Sequence, residues 1–222
     1  MTSIKKETVQ FLIDLKKNND RDWFEANKEK FVSANQNFIE FTGALIPEVS
    51  KFDKSVGALN AKDCVFRIYR DTRFAKDKSP YKTNFGVHLM PGGKQSGKAG
   101  YYFHFQPGSS WLGGGLHLPE PKVLKAVREE ISYNAKQFLK IINDKNFKSL
   151  FTIEGEKLAK VPQGFEKEDP MGEYLKYKEL IIKHTVDDKT ILSSDFTTYC
   201  AKVFKAITPF NTFVNNATTE AK

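Results

Sequence analysis

Cysteine is nearly absent: there are two in 222 residues, Cys64 and Cys200. They lie far apart, lack metal-ligand spacing and sit in apolar stretches. They therefore read as buried thiols rather than as a disulfide or a zinc site. Long apolar runs are missing as well, and none approaches the about 20 residues that span a bilayer. The opening MTSIKKETVQFLIDLKKNND has no h-region and no cleavage site, so it is not a signal peptide. A soluble, cytoplasmic chain with no membrane partner is expected. Signatures of catalysis are sparse too. No Gly-x-Ser-x-Gly elbow, Walker loop or dinucleotide fingerprint occurs. The last scarcity is arginine. Of 35 Lys and Arg residues, only those at 21, 67, 70, 73 and 128 are Arg.

What is present begins with that arginine. Three of the five fall in RIYRDTRFAKDKSPYK at 67–82. A guanidinium is a flat, permanently charged fork that matches phosphate or carboxylate, whereas Lys is a mobile point charge. Arg67, Arg70, Arg73, Lys78 and Lys82 are the candidate ligand-binding cations. Phe74 and Tyr81 are rings that anchor the loop or stack on a ring, and Tyr81 joins the candidate ligand-binding residues. Six cations face two acids, Asp71 and Asp77, across this stretch. The competing reading is an internal network of Arg67–Asp71 and Arg73–Asp77 pairs that staples the loop. The net charge of +8 admits an anionic small molecule, a nucleotide or a nucleic acid. Lysines interspersed with acids read first as an ordinary solvated surface.

Periodicity organises the rest. Residues 4–17 predict a helix with Phe11, Leu12 and Leu15 on one face. From Arg21 a long helix is expected, with Phe24, Phe31, Phe38 and Leu45 at seven-residue spacing and Pro47 kinking or ending it. The pattern then alternates, and strands are expected at 63–70, 85–90 and 100–106. PGGKQSGKAG and PGSS read as turns, and WLGGG as a further tight turn or a loop whose backbone approaches a ligand. A helix is expected over 120–143, with a break near Ser132–Asn134. A hairpin is predicted around Glu154-Gly155 and a strand at 177–186. The last helix starts at Ser193 or Ser194 and is interrupted by Pro209, with a frayed tail from about 216. Helices, then sheet, then helices, without a linker, argue for a single α+β domain over 1–222 with a mainly antiparallel sheet.

His88 and His104 fall at polar-face strand positions, with His117 nearby. Three such histidines suggest zinc, but no tight spacing or acidic fourth ligand accompanies them, so no metal and no cofactor are assigned. His104 is the better candidate for an acid or base, with Asp71 as the other. The three functional readings are an anion-binding module, an enzyme acting on a phosphorylated or carboxylated small molecule, and a structural or interaction protein. The oligomeric state is left open.

The segments NDRDWFEANKEKF, RIYRDTRFAKDKSPYKTNFG, GYYFHFQPG, GGGLHLPEP and VPQGFEKEDP, in that order, resemble a widespread microbial family of domains of unknown function, numbered 2461. The resemblance covers about 5–215. It maps onto Trp23, Phe24, Asn27 and Lys28, and onto Arg67, Arg70, Asp71, Arg73, Phe74, Asp77, Lys78, Pro80, Tyr81 and Lys82. It implies one α+β domain and no particular activity, substrate or cofactor. Gln163 stands where the pattern carries a basic residue, and His117 where it carries an aromatic, which weakens the metal reading further.

Overall fold

The computed structural model describes residues 3–93 and 96–220. Helix α1 (Lys6–Lys17) buries Phe11, Leu12 and Leu15, the face its periodicity marks. Asp20 caps α2 (Arg21–Ala26), its carboxylate accepting from the Trp23 amide at 2.8 Å. The expected long helix is broken at Asn27. There the side-chain amide donates to the Trp23 carbonyl at 2.9 Å and competes with the helical ladder. Helix α3 (Lys28–Ser50) follows and carries Pro47 inside its last turns instead of stopping there. A 3-10 turn and α4 (Ala61–Cys64) complete this helical part.

The strand expected at 63–70 is not regular. Its start is the end of α4, and the remainder is one side of an irregular arm, residues 65–82, held by isolated bridges Val65↔Val87 and Tyr69↔Tyr81. Backbone bonds from Phe66 to Gly86, from Lys82 to Ile68 and from Arg70 to Pro80 close it at 2.7–2.9 Å. Pro80 can accept but has no N–H to donate, and the intervening DTRFAKDKS bulges out, so no continuous ladder forms.

Strands β1 (Phe85–Leu89) and β2 (Gly100–Phe105) fall where alternation predicts. The glycine triplet is not a turn but the body of β3 (Ser110–Leu116). Helices α5 (Pro121–Tyr133) and α6 (Ala135–Ile142) share the expected break at Asn134. Then come α7 (Lys145–Leu150), β4 (Thr152–Glu154), α8 (Gly172–Leu175), β5 (Leu180–Val186), α9 (Asp188–Ile191) and α10 (Phe196–Glu220). Strand β4 does not form the predicted hairpin. It pairs antiparallel with β5, Ile153 opposite Ile182. Helix α10 continues through Pro209 and through the expected frayed tail as far as Glu220. Residues 221–222, and Lys94 and Gln95 of the first glycine-rich turn, lie outside the described residues.

The described strands form one antiparallel sheet in the order β1-β2-β3-β5-β4, giving an α+β fold. The chain gathers into two compact units. One comprises residues up to 89 with 102–112 and 185–202; the other comprises 90–101, 113–184 and 203 onward. The first has an aromatic core: Phe38 lies 5.2 Å from Phe85 and 5.9 Å from Phe103, while Phe41 and Phe103 both meet Phe196. Both cysteines are buried here as unbridged thiols, and burial pushes the Cys200 thiol up. In the second, Phe138 meets Tyr174, Phe210 and Phe213, and Tyr101 meets Phe204. Glycine is required where α10 and β5 press on β3. A Cβ on Gly114 would sit 2.6 Å from Ile207, and one on Gly115, at φ +100°, 2.0 Å from the Leu180 carbonyl oxygen. Asn211 ties this region together, accepting from the Gly115 amide at 3.0 Å and donating to the Gly100 carbonyl at 2.9 Å. Among the described residues no helix is long and apolar enough to cross a membrane.

Candidate functional site

The arm is stapled by its own acids. Arg73 grips Asp71 in a fork, Nε to Oδ1 at 3.0 Å and Nη2 to Oδ2 at 2.7 Å. Arg70 pairs with Asp77. Neither pair is the Arg67–Asp71 or Arg73–Asp77 pair expected of a stapled loop: Arg73 takes Asp71, and Arg70 takes Asp77. The reason is reach. Two residues apart on a bend, Arg73 folds back onto Asp71, whose Oδ1 also accepts from the Arg73 amide at 3.2 Å. Asp77 is fixed by Ser79, whose amide and hydroxyl donate to Oδ1 at 2.9 and 2.6 Å. Lys78 donates to the Thr72 carbonyl at 3.0 Å, and Lys82 to the Arg67 carbonyl at 3.0 Å. Both lysines thus reach backbone oxygens of the arm. Arg67 is exposed and forms no ion pair among the described residues; the Asp71 carboxyl is lowered first by the hydrogen bonds from Arg73, with the Arg67 charge a minor addition. Six cations against two acids leave the arm at 6 − 2 = +4 over residues 67–82.

Tyr81 is 5 % exposed, so it anchors the arm rather than presenting its ring. It stacks on Phe24 at 3.9 Å between centroids, and Asn19 brackets its backbone, accepting from its N–H at 3.1 Å and donating to its carbonyl at 2.9 Å. Phe74 is the opposite case. At the arm's tip it is 95 % exposed, with the Arg73 guanidinium 5.9 Å from its ring centroid.

Next to the arm, one face of β1, β2 and the start of β3 carries rings and hydrogen-bonding groups. Lys82 lies 5.6 Å over Phe66, Phe66 meets Tyr102 edge-on at 6.1 Å, and Tyr102 meets Trp111 at 4.9 Å. Gly86 makes room for Tyr102, because a Cβ there would stand 2.7 Å from the hydroxyl. Burial raises the Tyr102 phenol to about 12, so it stays a donor at neutral pH. His104 stacks with Trp111 at 5.5 Å. Its Nε2 lies 3.0 Å from Gln106 Oε1, while Nδ1 faces Asn84 Nδ2 at 3.4 Å and the Tyr102 hydroxyl at 3.5 Å. This pattern assigns the proton to Nε2 and leaves Nδ1 as acceptor. His88 meets Tyr102 edge-on, and His117 pairs with Glu179 at 2.7 Å. Among the described residues no three His, Cys, Asp or Glu side chains converge to hold a metal ion.

The model for "Conserved hypothetical protein (DUF2461)" matches residues 7–213. The chain belongs to that family. No curated protein and no solved structure matches. In this DUF2461 protein two of the five segments that carried the resemblance meet in space, NDRDWFEANKEKF supplying Asn19 and Phe24 to the Tyr81 of SPYK. Sequence reasoning missed Trp111, Tyr102, Asn84 and Gln106. Tyr102, His104 and Gln106 occupy alternate positions on or just beyond β2, a signal that was available. Trp111 was hidden by the glycines after it, which make SWLGGGL look like a turn.

The arm's staples predict a pH response. Hydrogen bonds from Ser79, then from Arg70, hold the Asp77 carboxyl well below the usual carboxylate range. A depressed folded-state pKa contributes stability above the unfolded value, near about 3.9, and loses it as pH falls through the folded value. The arm should therefore stay closed throughout neutral and mildly acidic pH. An NMR titration of the carboxyl carbon should place Asp77 below its ordinary range, with Ser79→Ala moving it upward. An ordinary Asp titration in the unsubstituted protein would refute the stapled arm.

Proposed function

We propose that the protein binds an anionic, phosphate- or carboxylate-bearing ligand on the 67–82 arm, with Arg67 as the principal contact and Lys78 and Lys82 as supporting charge. One observation carries this reading. Both acids of the arm are engaged by Arg70 and Arg73, so the arm is held in shape and yet retains a charge of +4 that nothing within it offsets. A preorganised cationic surface loses little entropy when an anion binds. Arg70 and Arg73 then serve chiefly as staples, in keeping with the structural reading of the cluster, and Arg67 supplies the fork. A thermal-shift and calorimetric series with pyrophosphate, nucleotides and citrate tests it, since a bound ligand raises apparent stability by mass action. Arg67→Lys keeps the charge but loses the bidentate geometry, and should weaken binding about tenfold without lowering the melting temperature. Equal affinity in both proteins, or no anion that stabilises either, would sink the reading.

A second reading, an enzyme acting on such a ligand, is favoured by His104. Its acceptor Nδ1 sits beside a Tyr102 hydroxyl that holds its proton, on a face joined to the arm through Phe66 and Lys82. Asp71 is less suited to proton transfer, because the Arg73 fork lowers its carboxyl and keeps it ionised.

A further inference from the structure

The arm presents rings as well as charge. Phe74 is 95 % and Tyr69 46 % exposed, unusual values for large rings on a segment otherwise well anchored. Cations lie against rings at both ends, Arg73 at Phe74 and Lys82 at Phe66. We propose that the arm binds single-stranded nucleic acid, with a base stacked on Phe74 and the adjoining phosphates held by Arg67 and the arm's lysines. The inference rests on the anion-binding reading above and names the class of ligand.

The argument is one of complementarity. Single strands offer repeated anions interleaved with planar rings that have open faces, which is the pattern of the arm. A duplex offers the phosphates but keeps its bases stacked, so Phe74 would have no partner. An anionic bilayer would attract the charge, but it calls for a cluster of inserting apolar side chains. Around Phe74 the chain reads DTRFAKDKSP, in which Ala75 and Pro80 are the other apolar residues. An acidic peptide supplies carboxylates without rings. The staples add to the case, because a ring on an arm held by Asp71 and Asp77 is presented without further ordering.

The test is fluorescence anisotropy of the full chain with labelled oligouridylate and oligodeoxythymidylate of about 12 nucleotides, within the site sizes such surfaces cover. A duplex, inorganic polyphosphate and phosphatidylserine vesicles run in parallel. The single strands should bind more tightly than duplex or polyphosphate. Phe74→Ala should weaken single-strand binding about tenfold and leave its salt dependence unchanged, because stacking releases no counterions. Arg67→Ala should instead flatten the log–log salt slope by about 0.7. Phe74 is exposed, so its replacement leaves the fold intact. If polyphosphate binds as tightly as the single strands, or Phe74→Ala has no effect, the nucleic-acid inference falls and anion binding stands. If vesicles bind more tightly than oligonucleotides and Phe74→Ala removes that binding, the partner is a membrane surface and the inference also falls. If no anion binds, both readings fail.

Discussion

Gly115→Ala should remove a large share of the protein's stability. Its φ of +100° lies where side chains are strained, and its Cβ would stand 2.0 Å from the Leu180 carbonyl oxygen, a backbone atom of β5 that cannot swing away. Left-handed strain alone costs about 1–3 kcal/mol, and the forced separation of backbone adds to it. A total of roughly 4 kcal/mol is a large share of a stability of about 5–15 kcal/mol. Gly108→Ala is the control. Gly108 has φ +76° with nothing within 4 Å of its Cβ position, so it should lose only about 1–2 kcal/mol. Urea midpoints measure both. Equal losses at the two positions would mean that the contact with Leu180 is not what demands glycine.

Phe38→Ala should be the costliest truncation in the aromatic core of the first unit. Phe38 is fully buried and touches rings from both β1 and β2: Phe85, Phe103 and Phe105 at 5.2, 5.9 and 6.1 Å. Emptying that space removes burial and leaves a cavity between stiff neighbours, for a loss of about 3–5 kcal/mol. Phe38→Leu keeps much of the volume and should lose about half as much or less. Phe74→Ala, at an equally large ring in solvent, should stay within about 0.5 kcal/mol of the unsubstituted protein. Chemical denaturation of the three variants gives the comparison, and a Phe38→Ala loss under about 1 kcal/mol would contradict the central placement of this ring.

Local pattern was sufficient wherever an element's period was long and unbroken. The buried faces of α1 and α3, strands β1 and β2 and the break between α5 and α6 all follow from spacing and capping, because those choices depend on neighbours three or four residues away. Pro209 misled. It sits inside a helix that packing sustains, and the lost hydrogen bond is smaller than what the buried face contributes. The glycine triplet misled in the other direction. Local chemistry reads three glycines as a turn, whereas Ile207, Asn211 and Leu180, all distant in sequence, require a strand without side chains.

The concentration of guanidiniums at 67–82 and the polar-face placement of His88 and His104 were determined by sequence alone, since composition and alternation record them directly. Which arginine pairs with which acid was decided only in three dimensions. Charge has no periodicity, and a long side chain selects its partner by where the backbone bends. Ser79 holds Asp77 for Arg70, and the bend at Arg73 and Phe74 folds Arg73 onto Asp71. The same bends place Phe74 in solvent and Tyr81 in the core, two aromatic residues seven positions apart that composition treats alike. Their fates differ because Asn19 and Phe24, about sixty residues upstream, offer Tyr81 a socket, and such long-range contacts are supplied by tertiary packing rather than by local sequence.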